Sequence, residues 1–138
     1  MGVSLQPLED RIVVKPSEGE EMTVIAYGSA VHLALEAAHA LDESIEVIDL
    51  RSLCPLDTEA ILRTAGPGRL VVTAENHTVV GGLAESVAAT LAFAGQATRV
   101  VPIALPDAFL AAGALPTLHD RYGLSTDAVV ARIKTSDR

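Results

Sequence analysis

The chain is poor in cysteine, aromatic residues and positive charge. A single cysteine, Cys54, excludes a disulfide framework and a zinc cluster, and points to a reducing, cytoplasmic setting. There is no tryptophan, and two Tyr and two Phe make up the whole aromatic content. The core must therefore be aliphatic and alanine-rich, which suits helices laid closely on a parallel sheet. Lys and Arg number 10 against 18 Asp and Glu, for a net charge of −8. With no basic patch to neutralise phosphates, neither nucleic acid nor an anionic membrane surface is an expected partner. No apolar run reaches the roughly 18 residues that span a bilayer. The opening residues lack the basic-then-apolar layout of a signal peptide. Neither a G-x-G-x-x-G nor a Walker sequence is present.

What the chain does have is 138 residues, 49% of them hydrophobic, enough for one domain with a substantial core. Arg11–Lys15 reads as a strand bracketed by Pro7 and Pro16, hence an edge strand, followed by a turn around Gly19. Met22–Tyr27 is a continuous apolar run ended by Gly28 and reads as a buried strand. Ser29 stands where an N-cap belongs, and Val31, Leu33/Ala34, Leu35, Ala37/Ala38 and Leu41 supply a wide apolar face of a helix ending near Asp42-Glu43. Ile45–Leu50 is the next strand and Thr58–Thr64 the next helix, stopped by Gly66-Pro67-Gly68. Leu70–Thr73 is a short strand. The polar knot Glu75-Asn76-His77-Thr78 and the pair Gly81-Gly82 separate it from a helix carrying Leu83, Val87 and Leu91. Thr98–Leu105 is strand-like, and Pro102 argues for an edge position or an early end to regular pairing. Pro106–Gly113 reads as a loop with a possible helical turn. Pro116–Tyr122 is a short helix stopped by Gly123, and Ser125 caps the last helix, Thr126–Lys134. About five strands alternate with helices, so an α/β fold with a largely parallel sheet follows. The first strand reaches the second through the short turn Ser17–Glu21, so those two should pair antiparallel and the sheet should be mixed.

Candidate chemistry gathers at two strand ends. Gly28-Ser29 could offer backbone N–H groups to an anion, although simple capping by Ser29 is the plainer reading. Ser29 and His32 could make a nucleophile and base, but no G-x-S-x-G elbow and no third group accompany them. Glu75, Asn76 and His77 are the best local candidate: a carboxylate, an amide and an imidazole at a strand end could relay protons, bind a polar ligand or pack on another domain. The alternative is a loop that satisfies its own backbone. Cys54 reads as a small buried hydrophobe. His39 and His119 read as surface or partly buried, and the four histidines make no metal spacing.

Four stretches carry a resemblance: TVIAYGSAVHLALEAA (23–38), IEVIDLRSLCPLDTEAI (45–61), GRLVVTAENHTVVGGLAESVA (68–88) and LPDAFLAAG with LHDRYGLSTDAVV (105–113, 118–130). Over residues 22–133 the chain resembles the C-terminal domain of transketolase-type, thiamine diphosphate-dependent enzymes, with a flavour of split transketolases and deoxyxylulose-phosphate synthase. The resemblance implies a three-layer α/β/α fold with a mixed five-stranded sheet whose first strand is antiparallel to the rest. It also implies that thiamine diphosphate and its divalent metal belong to two preceding domains of such enzymes, which this sequence does not carry. The chain alone is thus expected to be inactive, with no catalytic, cofactor or metal residue assigned. Its expected partners are further copies of itself or the other transketolase domains. Residues 3–20, containing PLEDRIVVKP, are similar instead to the N-terminal strand of the 10-kDa co-chaperonin. That suggests a chimera in which residues 1–20 supply an edge strand to the domain formed by residues 21–138, in an engineered or isolated domain.

Overall fold

The computed structural model describes residues 3–5, 11–14, 22–41 and 44–136. The chain runs β1 (Val3–Leu5), β2 (Arg11–Val14), β3 (Met22–Ala26), α1 (Ala30–Ala40), β4 (Ile45–Asp49), α2 (Thr58–Thr64), β5 (Leu70–Thr78), α3 (Leu83–Phe93), β6 (Arg99–Leu105), α4 (Leu115–Tyr122) and α5 (Thr126–Ser136). The six strands form one sheet in the order β1-β2-β4-β3-β5-β6. Its body is a four-stranded parallel sheet, β4-β3-β5-β6.

Alternation along each strand divides the apolar residues between two faces. Val24, Ala26, Val47, Val72 and Ala74 pack with Ala34, Ala37 and Ala38 of α1 and with Val129 and Ile133 of α5. Ile25, Ile48 and Val71 pack with Ile61 of α2 and with Leu83, Val87 and Leu91 of α3. The small alanines of α1, fully buried, allow the close helix-to-sheet approach that the scarcity of aromatics requires.

The antiparallel pairing differs from the sequence expectation. Arg11–Val14 pairs with Ile45–Asp49, Ile12 opposite Val47, and not with Met22–Ala26. The reason is topological: parallel β4 and β5 occupy both edges of β3, so only the outer edge of β4 is open to a further strand. The strand count is six rather than five, because Val3–Leu5 pairs antiparallel with β2 and takes the edge that β2 was expected to hold. The antiparallel member is therefore the second strand. The Ser17–Glu21 turn, Lys15, the Asp42-Glu43 helix end and most of the co-chaperonin-like segment lie outside the described residues. At the other side β6 is an edge strand, as Pro102 suggests.

Candidate functional site

Because β3 to β6 run parallel, their C-terminal ends open onto one rim of the domain, and the loops after them form its surface. Both parts of the sequence-predicted site lie there. The polar knot is not a loop, however. Strand β5 continues through it to Thr78, which pairs with Leu105 of β6 past an irregularity after Ala74. Val79 N–H donates to the Leu105 carbonyl at 2.9 Å, so the polar residues sit in an irregular stretch between backbone paired at Ala74 and at Thr78.

The three side chains have different surroundings. Glu75 points toward α3 and is 1% exposed. Its Oε2 accepts from the backbone N–H of Leu83 at 2.8 Å, and its Oε1 accepts from that of Ala84 at 3.2 Å. These are the first two residues of α3, whose N-cap position is Gly82 and therefore has no side chain to do the capping. Glu75 performs the cap from a distance, bringing a carboxylate to the positive end of the helix. The Tyr27 hydroxyl donates to the same carboxylate at 3.4 Å. Burial first, and then the charge of Glu75, push the Tyr27 phenol above its ordinary range.

Gly82 is required by this arrangement. A Cβ there would lie 2.5 Å and 2.7 Å from the Glu75 oxygens and 2.7 Å from the Thr78 carbonyl oxygen. Its φ of −99° is open to any residue, so the requirement is one of space.

His77 leaves the strand on the same side as Glu75 but reaches solvent, its side chain 50% exposed. Its Nδ1 stands 2.8 Å from the Thr78 carbonyl, which can only accept, so Nδ1–H is the donor of this bond. Nδ1 is also 4.0 Å from Glu75 Oε2. His77 lines a cleft with Tyr27, Leu53, Leu56 and Gly82. Asn76 is exposed. It lines a cavity of about 310 Å³ with Ser29, Leu33, His119, Leu124 and Thr126. The structure therefore brings Ser29, Glu75 and Asn76 to one cavity and turns His77 toward another, while Gly28 lines neither.

Other residues differ from the sequence reading in detail. Ser29 sits at the N-cap of α1 in a helical conformation (φ −65°) and makes no capping bond. Its hydroxyl is exposed at the rim. Cys54 is exposed and not buried, because the loop after β4 projects from the rim and pairs on itself through Leu53 and Leu56. His32 and His39 are exposed. Among the described residues no three His, Cys, Asp or Glu side chains stand together as a metal site, and no helix is long and apolar enough to cross a membrane.

One feature of the rim had no clear sequence signal. Large apolar side chains are exposed along it: Leu53 after β4, Val80 after β5, and Phe109, Leu110 and Leu115 after β6. Phe109 is completely exposed and Leu115 more than half exposed. Residues 106–113 form no helical turn but cross the rim in an irregular path, tied to α4 where the Tyr122 hydroxyl accepts from Ala111 N–H at 2.8 Å. Both phenylalanines are exposed, Phe109 in this loop and Phe93 at the end of α3, and composition alone does not say so.

The sequence model of the family described as "Transketolase, C-terminal domain" matches residues 11–129. A transketolase family protein of Sinorhizobium fredii is 50% identical over 122 residues, 85% of this chain and 35% of its own length. The 1-deoxy-D-xylulose-5-phosphate synthase of Chlorobium phaeovibrioides is 34% identical over 95% of this chain and 21% of its own length. The chain thus spans about a third or less of these relatives. A split-gene transketolase, solved as an inactive β4 tetramer, superposes with a TM-score of 0.73 at 34% identity, over 86% of this chain and 39% of that one. Transketolase from Campylobacter jejuni shares the fold, with a TM-score of 0.59 at 18% identity. On the span of the family match and the order of its elements, the chain belongs to the transketolase C-terminal domain family.

Proposed function

We propose that the chain is a non-catalytic assembly domain of a thiamine diphosphate-dependent transketolase-type enzyme, and that by itself it associates with further copies through the rim. The observation that carries this reading is the rim's exposed apolar set, Leu53, Val80, Phe109, Leu110 and Leu115, carried on the segments after β4, β5 and β6 and on the first residue of α4. Patches of this kind on a soluble domain mark contact surfaces. A second copy is favoured as the occupant because the similar split-gene transketolase is described as a β4 tetramer. The Glu75-Asn76-His77 stretch supports that rim: Glu75 locks β5 to α3, and Asn76 and His77 present polar groups to either side of it. Light scattering on the chain should report an assembly larger than a monomer. Calorimetric titration with thiamine diphosphate and Mg²⁺ should give no binding heat, and saturable binding would overturn the reading.

A second reading is a subunit of a split enzyme, active only with chains that carry the cofactor. It is favoured by the same split-gene neighbour and by its description as inactive in the β4 form. Ketol transfer that appears only on mixing with a cofactor-bearing partner chain would select it.

We further propose that residues 1–20, by their similarity to the co-chaperonin strand, form a borrowed unit that completes the sheet of the domain 21–138. In support, β2 closes the outer edge of β4. The family match begins at residue 11 and so takes in β2 itself, which limits what could be borrowed to the residues before it. Deleting residues 1–20 should lower the melting temperature, whereas unchanged melting would reduce the segment to an appendage.

A further inference from the structure

The cavity beside Asn76 is left unused by the assembly role. One stripe of α1 lines it: Ser29, Leu33 and Glu36 follow at intervals of four and three residues and so share a helix face. Leu124 and Thr126, around the start of α5, and Pro116 of α4 complete it. Ala30, Leu33, Pro116 and Leu124 make its wall aliphatic. Its volume of about 310 Å³ is at the lower bound of ordinary small-molecule sites.

A carboxylate is pinned at the edge of this wall. Glu36 Oε2 accepts from the Thr126 hydroxyl at 2.6 Å, and both residues line the cavity. That bond occupies one oxygen. Among the described residues Oε1 accepts no hydrogen bond, and no Lys or Arg pairs with the carboxylate.

The surroundings leave its negative charge unbalanced. No Lys or Arg lines the cavity among the described residues. The positive end of α1 acts over the first turn, and Glu36 lies beyond it, the seventh residue of eleven. The positive end of α5 is offset by Asp127 in its own first turn. Ser29, Asn76 and Ser125 bring neutral polar groups. With a net charge of −8 over the whole chain, the field favours a cation and disfavours an anion. One carboxylate in an aliphatic wall is a poor metal site, and no three His, Cys, Asp or Glu side chains stand together among the described residues. The cation that fits is organic, with an apolar body.

We infer that this cavity binds a small primary aliphatic amine in its protonated form, the ammonium on Glu36 Oε1 and the carbon chain along Leu33 toward Pro116 and Leu124. An ammonium group has three donors and no acceptor, which suits a carboxylate oxygen that lacks a donor. Every residue named belongs to one chain, so the inference does not rest on the assembly reading.

The test follows backbone amide resonances of the 138-residue chain during titration with hexylamine, methylamine, hexan-1-ol and hexanoate. His32 and His39 stand one turn to either side of Glu36 on α1, so the titrations are run at about pH 8, above the ordinary imidazole range. Hexylamine should give saturable shifts at Leu33, Glu36 and Thr126. Hexan-1-ol and hexanoate, which cannot pair with the carboxylate, should bind at least about three-fold more weakly. Methylamine, which has no chain to bury, should bind at least about ten-fold more weakly. Glu36→Gln, at an exposed position and still able to accept from Thr126, should weaken hexylamine by about three- to five-fold and leave hexan-1-ol unchanged. The inference is overturned by the absence of saturable shifts, by shifts centred elsewhere, by methylamine, hexan-1-ol or hexanoate binding as tightly as hexylamine, or by a Glu36→Gln chain that binds hexylamine unchanged.

Discussion

Glu75 and Gly82 are in such close contact that a single methyl group on Gly82 would fall 2.5 Å from the carboxylate. A strand and the helix seven residues later are joined here by a buried acid that caps the helix and by a glycine that makes room for it. The most site-like residues in the sequence therefore act first as a structural joint at the rim.

That joint predicts a large effect for Glu75→Ala. The substitution leaves the Leu83 and Ala84 N–H groups unpaired in a buried setting and removes the favourable charge at the start of α3. Urea unfolding at neutral pH should show a loss of about 2–4 kcal/mol. Glu75→Gln should recover only part of it, because one accepting oxygen would be replaced by an NH₂ group facing a donor. A loss below about 0.5 kcal/mol would mean that α3 is capped in some other way.

Gly82→Ala should destabilise by about 1–3 kcal/mol through crowding. Its effect should depend on Glu75. In a Glu75→Ala background the clash with the carboxylate is gone, so the two losses should sum to more than the double variant shows. Simple additivity in a double-mutant cycle would contradict the contact.

Tyr27 gives a pH signature. Its phenol is raised above the ordinary value of 10.0 by burial and by Glu75. A group whose folded pKa is raised contributes stability that is complete below the unfolded value and is lost as pH rises through the folded value. Melting temperatures should thus fall as pH climbs above about 10, and Tyr27→Phe should reduce that alkaline fall. At pH 7 the same variant should change stability little, since the hydrogen bond is long at 3.4 Å.

The parallel core, the helix positions and the edge placement of β6 were legible in the sequence, since each rests on local periodicity or on Pro102. The partner of β2 was not. A short turn argues for a hairpin, but which edge of β3 stays open is decided by the crossovers to β4 and β5, which are non-local. The polar knot read as a loop because Glu75, Asn76 and His77 break the apolar run. Only the pairing of Thr78 with Leu105 shows it to be strand. The role of Glu75 was hidden for the same reason: Gly81-Gly82 is visible as a pair, but nothing local says that an acid seven residues earlier returns to it. His119 and the bare Phe109 are likewise set by tertiary packing.

The claim that the rim is the assembly surface is tested most directly by equilibrium sedimentation of the wild-type chain beside Phe109→Ser/Leu115→Ser. Both side chains are exposed, so the double variant should keep the wild-type stability within about 0.5 kcal/mol per site. The account predicts that the wild-type chain associates and the variant sediments as a monomer at the same concentration. Equal masses for the two, both folded, would contradict it.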